Sequence, residues 1–158
     1  MSKPLTVITG ASSGIGEATA KAFSKAGYPT LLIARRLEIM ESFNLKNSIC
    51  KRVDVRDRDA LVAAVREAEE TYGPTDMIFN NAGVARLADI STQDPQEWDE
   101  MIDVNTKGVM NGMYAVMSNM KARQSGTIIN MSSIAGRKVY GDHTVYCGTK
   151  YFVHAVSE

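Results

Sequence analysis

The stretch Leu5-Thr6-Val7-Ile8-Thr9-Gly10-Ala11-Ser12-Ser13-Gly14-Ile15-Gly16 decides the fold. Its first five residues are a short, almost unbroken apolar run of the kind a strand needs when both faces are buried. The run breaks at Gly10, and from Ile15 the apolar period changes to that of a helix. Ile15, Ala18, Ala22, Phe23 and Ala26 fall on one stripe, predicted to face inward, and Gly27 stops the helix. A strand that passes through glycines into a helix offers bare N–H groups at the helix start. Side chains must be small there if a pyrophosphate is to approach the backbone. The turn residues Gly10, Ser12, Ser13, Gly14, Ile15 and Gly16 are therefore the candidate phosphate cradle. Three residues separate the first two glycines and one separates the second from the third, unlike the usual G-x-G-x-x-G spacing.

Outward from that turn, the same beat repeats. Thr30 to Ala34 reads as a second strand, followed by a short helix through about Phe43. A third strand is expected near Ile49 to Val55. Arg58 to Tyr72 is an amphipathic helix with Leu61, Val65 and Ala68 inward, ended by Gly73-Pro74. Asp76 to Asn80 is the fourth strand. Asp94-Pro95, an N-cap with proline at the first helical position, opens a long helix running towards Arg123. Thr127 to Met131 is the fifth strand, and after a loop comes a last helix containing Tyr146. Alternation of this kind predicts a doubly wound parallel α/β sheet of the Rossmann type. Ligands then sit beyond the carboxyl ends of the strands, in the loops after Thr9, Ala34, Val55, Asn80 and Met131.

At 158 residues the chain suits one domain. Residues 1–158 are expected to be one dinucleotide-binding domain, truncated within the helix carrying Tyr146, because Phe152, Val153 and Val156 extend a crossover that should lead to a further parallel strand. Without it, the outer edge of the fifth strand is expected to stay unpaired. Apolar residues make up 44% and charged ones 23%, with a formal net charge of zero, so no field favours nucleic acid or an anionic membrane. No apolar run is long enough to span a bilayer, and the start lacks a signal-peptide layout. A cytoplasmic protein is expected. Cys50 and Cys147, without ligand-spaced neighbours, read as ordinary thiols rather than a disulfide or metal site.

The second strand's end selects the dinucleotide. NAD sites usually hold the ribose 2′-hydroxyl with a carboxylate about twenty residues past the glycines. Here Ala34 stands at that point, followed by Arg35 and Arg36. A carboxylate would repel a 2′-phosphate, whereas two guanidiniums can hold it with charge-assisted hydrogen bonds, which points to NADP(H). Glu38, the nearest carboxylate, lies beyond the strand.

Together these motifs resemble the short-chain dehydrogenase/reductase family, over essentially every element present. The turn has that family's TGxxxGxG form. Asp54 and Val55 follow the third strand, where the resemblance implies an adenine-contacting acid. Asn80-Asn81-Ala82-Gly83 matches the NNAG motif, so Asn81, Ala82 and Gly83 should border the cofactor. Asn105 matches the asparagine of the fourth large helix. Ser132-Ser133 closes the fifth strand, and Tyr146-x-x-x-Lys150 follows. Extended relatives, including dehydratases and epimerases, space their glycines differently.

The chemistry unites the last of these. Reduction of a ketone builds alkoxide character on oxygen and needs a proton donor within reach, here Tyr146. A phenol is a poor base at neutral pH, and an ammonium one helical turn away favours its ionised form. The resemblance implies that Lys150 also holds the nicotinamide ribose and that Ser133, thirteen positions before the tyrosine, hydrogen-bonds the substrate oxygen. Ser132 is the alternative for that role. Asn105 would help carry protons from Lys150 to solvent, and no metal is required. The implied substrate is a small alcohol or carbonyl compound, such as a hydroxy acid or similar polar alcohol. A non-catalytic dinucleotide-binding or regulatory fragment is the alternative, which the Ser133, Tyr146 and Lys150 set disfavours. His143, Arg137 and Lys138 precede the tyrosine and are left unassigned, and His154 is expected on a helix surface or interface. Met110, Met113, Met117 and Met120 on the long helix suit core or a subunit interface, the resemblance implying a homodimer or homotetramer.

Overall fold

The computed structural model describes residues 3–158. Five parallel strands form one sheet in the order β3-β2-β1-β4-β5. They are β1 (Leu5–Thr9), β2 (Thr30–Ala34), β3 (Ser48–Arg52), β4 (Thr75–Asn80) and β5 (Thr127–Asn130). The helices are α1 (Gly14–Lys25), α2 (Leu37–Ser42), α3 (Arg58–Tyr72), α4 (Pro95–Ile102), α5 (Gly108–Arg123) and α6 (Thr144–Ala155). The fold is the doubly wound α/β fold expected from the alternation. The chain reverses its direction of winding between β1 and β4, and that switch opens a crevice at the strands' carboxyl ends.

Side chains on the central strands alternate between two buried layers. Leu5, Val7, Leu31, Ile33 and Ile78 pack with Leu61, Val65 and Ala68 of α3 and with Val116 and Met120 of α5. Ile8, Leu32 and Phe79 pack on the opposite face with Ala20 and Met40. Burial on both faces explains the unbroken apolar character of β1 and β2. β5 is an edge strand: among the described residues it pairs only with β4, and Ile129 is left partly exposed. The cap of α4 matches the sequence reading: the Asp94 carboxylate accepts from the N–H of Gln96 at 2.9 Å with Pro95 in the first turn. Asp57, not read as a cap from the sequence, accepts from the N–H of Ala60 at 3.0 Å to start α3.

Three expectations need correction. β3 stops at Arg52 rather than near Val55, because β2, its only partner among the described residues, ends where Ala34 meets Arg52. The helix from Pro95 to Arg123 is not uniform: a π turn, Asp103–Lys107, joins α4 to α5. The α1 stripe also turns the other way. Ile15 is 59% exposed, and Ala18, Ala22 and Ala26 are exposed, while Gly16 and Ala20 are buried. The smallest residues go inward because α1 must lie close to the sheet and to the turn that feeds it. Of the methionines on α5, Met120 is buried and Met110 and Met117 are exposed beside Tyr114.

Candidate active site

A cleft of about 620 Å³ lies along the carboxyl ends of the strands, within the size range of small-molecule and cofactor sites. From the glycine-rich turn, Gly10, Ser12, Ser13 and Ile15 line it; from the loop after β2, Arg35 and Arg36; from that after β3, Asp54 and Val55. Across the switch point come Asn81, Ala82 and Gly83 after β4, Ser133 after β5, and Tyr146 and Lys150 from α6. Gly16 and Asn105 stand outside this lining, buried behind it, and Gly14 lies outside it, exposed at the start of α1.

The turn is shaped by close approach. A Cβ on Gly10 would sit 2.7 Å from the Cα of Ala82, and one on Gly16 would collide with the Gly10 carbonyl and lie 2.6 Å from Asn81 Nδ2. The loop after β4 is bolted to the same turn. Thr9 Oγ1 accepts from the N–H groups of Asn81 and Ala82, each at 3.1 Å, and Asn81 Nδ2 donates to the carbonyls of Thr9 and Gly10 at 3.1 and 3.2 Å. Ser13, the N-cap of α1, makes no side-chain cap bond, so its hydroxyl does not consume the helix's first N–H groups. Bare N–H groups at a helix start, beside glycines that permit close approach, fit a dinucleotide pyrophosphate.

Beyond β2, Arg36 Nη2 donates to Ser12 Oγ at 3.0 Å and to Ser13 Oγ at 2.9 Å, which holds its guanidinium against the turn. Arg35 lines the cleft, whereas Glu38 does not and is paired with Arg52. Asp54 is gripped by Arg56, whose Nη2 lies 2.6 Å from Oδ2. Those hydrogen bonds hold the Asp54 carboxyl below its ordinary range, against a smaller opposing effect of burial. Asn111 of α5, unanticipated from sequence, steadies this loop: it donates to the Val55 carbonyl at 2.9 Å and accepts from Arg58 Nε at 2.9 Å.

The other end of the cleft is built from side chains. Lys150 is 5% exposed, and its Nζ donates to the Met131 carbonyl at 2.8 Å and lies 5.7 Å from the centre of the Tyr146 ring. Burial pushes the Lys150 ammonium below its ordinary pKa. The two adjacent serines differ. Ser132 Oγ donates to the Lys150 carbonyl at 3.1 Å, which uses its only proton; Ser133 Oγ accepts from the Ala135 N–H at 3.2 Å and keeps its proton free to donate. Asn105, 1% exposed on the π turn, accepts from the Val84 N–H at 2.8 Å and donates to the Val84 carbonyl at 2.8 Å and to Thr149 Oγ1 at 3.1 Å. His143 is half-buried, its ring centre 6.4 Å from that of Tyr146. His154 faces Glu158 at 3.9 Å.

Sequence reasoning overlooked Thr149, Ser132 in its backbone role, and Thr9 as the anchor of the loop after β4. All three are small hydroxyl residues that join separate elements.

The whole described chain except its first residue, residues 4–158, matches the family model for short chain dehydrogenase. An uncharacterized oxidoreductase of Staphylococcus saprophyticus is 42% identical, over 98% of this chain and 64% of that protein. The closed form of a serine dehydrogenase complexed with NADP+ superposes with a TM-score of 0.93 at 31% identity, over 97% of this chain and 63% of that one. A gluconate 5-dehydrogenase of Burkholderia cenocepacia, in complex with NADP and tartrate, gives a TM-score of 0.87 at 28% identity, over 99% of this chain and 64% of that one. The chain spans about two thirds of the length of the curated bacterial relatives it matches, 64% of that from Staphylococcus saprophyticus and 68% of that from Staphylococcus aureus.

Proposed function

The chain belongs to the short-chain dehydrogenase/reductase family, and on that footing we propose that it serves an NADP(H)-dependent oxidoreductase acting on an alcohol or carbonyl substrate. One observation carries this reading. A single cleft has two arginines and no free carboxylate at one end, and a phenol, a buried ammonium and a serine hydroxyl with a free proton at the other.

Gly10, Ser12, Ser13, Gly14, Ile15 and Gly16 would hold the pyrophosphate, Asp54 and Val55 the adenine end, and Asn81, Ala82 and Gly83 the border of the nicotinamide side. Arg35 and Arg36 would hold the 2′-phosphate. Two of the solved structures above contain NADP, which supports that preference. A nicotinamide bound there would supply the hydride-transfer chemistry. Tyr146 donates its phenolic proton to the substrate oxygen during reduction and accepts it during oxidation. Ser133 uses its free proton to orient that oxygen. Lys150 faces Tyr146 with its positive charge and holds the nicotinamide ribose. Asn105 completes the proton path from Lys150 to solvent. Its amide is fully engaged with Val84 and Thr149, so it serves that path by placement rather than by passing a proton itself.

The two named relatives suggest the substrate class, a hydroxy acid or similar polar alcohol. The exposed apolar residues Ile102, Met110, Tyr114 and Met117 suit a homodimer or homotetramer contact. Among the described residues no helix is long and apolar enough to cross a membrane.

The test is a fluorescence titration with NADPH and, separately, with NADH, followed by a turnover screen of serine, gluconate and simple alcohols. Preferential NADPH binding that weakens in Arg35→Ala is expected. Equal binding of the two, or preference for NADH, overturns the 2′-phosphate assignment. Absence of any dinucleotide binding overturns the reading as a whole.

A further inference from the structure

We propose that Thr149 is a positioning residue that fixes the helix turn carrying Tyr146 to the loop after β4, through Asn105. The proposal rests on the reading of Tyr146 as the proton donor. A continuous chain of hydrogen bonds carries it. Asn105 is clasped by both backbone groups of Val84, at 2.8 Å each, and its Nδ2 donates to Thr149 Oγ1 at 3.1 Å. Thr149 Oγ1 in turn donates to the Tyr146 carbonyl at 2.8 Å. Thr149 is 3% exposed and Asn105 1%, so water does not compete for these bonds.

The hydroxyl is used in both senses, as acceptor from Asn105 and as donor to Tyr146, and no other side chain of similar size does both except serine. Valine matches its shape but would orphan one Asn105 N–H in a dry site. The π turn fits the same purpose. Helices insert such turns at functional sites, and this one carries Asn105 where its amide reaches two other elements at once. Val84 lines the cleft beside Gly83, so the strap joins the wall of the cleft to the residue expected to transfer the proton.

A strap of this kind governs where the helix turn carrying Tyr146 sits against the cleft wall formed by the loop after β4. Errors on the order of 1 Å in such placement can cost about a hundredfold in rate. Thr149 itself touches neither substrate nor cofactor in this scheme.

The experiment measures kcat and KM on the best substrate of the screen, beside NADPH affinity and melting temperature. In Thr149→Val, kcat is expected to fall by about tenfold or more, within what misplacement on the order of 1 Å can cost, while KM and NADPH affinity change less than about twofold. Thr149→Ser should restore the wild-type kcat. Thr149→Ala provides a second route, since alanine suits a helix and offsets part of any loss of folding. A kcat unchanged in both Thr149→Val and Thr149→Ala, with only the melting temperature lowered, overturns the proposal. Failure of the underlying reading looks different: Tyr146→Phe then keeps its turnover on the best substrate of the screen, whatever Thr149 does.

Discussion

On the β1–β3 side of the cleft the surface offered to a ligand is mainly backbone and glycine, rimmed by two arginines, whereas on the β4–β5 side it is side chains fixed by buried hydrogen bonds. The first half depends on what is missing, a Cβ at Gly10 and Gly16 and a carboxylate after β2. The second half depends on what is present, with each polar group held by another. Absences of that kind tolerate no added atom, and networks of that kind tolerate no removed one. The two halves should therefore fail in different ways when altered, and each variant below tests whether that division is real.

Tyr146→Phe should give the largest effect. It deletes one oxygen from the side-chain half and leaves the backbone half untouched. Turnover should fall by about a hundredfold or more, the usual worth of a placed proton donor, with NADPH affinity changed no more than about threefold. Steady-state kinetics beside a binding titration check this. A parallel collapse of binding would mean that the halves are not separable.

Gly16→Ala tests the backbone half. The added methyl meets the Gly10 carbonyl and Asn81 Nδ2, neither of which is the free end of a flexible chain. Relief by shifting the turn costs about 1–3 kcal/mol, and NADPH affinity should drop by about tenfold or more. Gly14→Ala is the matched control. It has nothing within 4 Å of its Cβ, and its φ of 57° is the only source of strain. That change should cost about 1 kcal/mol in stability, seen as a melting shift of a few degrees. Equal effects of the two changes would show that conformation rather than close approach governs the turn.

Arg36→Ala and Arg35→Ala probe the rim. Loss of one charge-assisted contact to a 2′-phosphate, worth about 1.5–3 kcal/mol, should weaken NADPH by about tenfold or more in each variant, and Arg35→Ala should leave NADH nearly unchanged. Arg36 already bonds Ser12 and Ser13, so its removal should also loosen the turn, weaken NADH to a smaller degree and give the larger effect of the two on NADPH.

The same division explains what could be seen in the sequence. Glycines, the double arginine and the four-residue step from Tyr146 to Lys150 act within one turn of chain, so their spacing alone displays them. Of these, Gly10, the arginines, Tyr146 and Lys150 line the cleft, and Gly16 shapes the turn from behind. Thr149, Ser132 and Asn111 each reach an element far away in the chain, across 44, 18 and 56 residues respectively, and no local period marks those contacts. The α1 stripe failed for another reason. Alanine is indifferent to which side of a helix it occupies, so a stripe of Ala18, Ala22 and Ala26 carries little force against the demand for close packing met by Gly16 and Ala20. The π turn inserts one residue into a helix whose ends are both well signalled, and apolar spacing alone does not display it.

The smallest effect concerns stability, and it sets the cost of placing an ammonium in the side-chain half. Burial lowers the Lys150 pKa in the folded chain relative to the unfolded one. Below the folded value both states carry the proton, and the fold bears the full penalty of a desolvated charge. Between the folded and the unfolded values the native state has released its proton while the unfolded chain retains it, so stability rises with pH across that window. Lys150→Met removes the charge and this dependence with it. The stability of the variant minus that of the wild type, from chemical denaturation at a series of pH values, should therefore be greatest near neutrality and decline as the solution becomes alkaline. Proton transfer should be lost throughout. The alternative pattern, a difference that grows with pH, would mean that the bond to the Met131 carbonyl outweighs desolvation. Lys150 would then be held in place by a favourable interaction rather than kept, against the preference of the fold, for its charge.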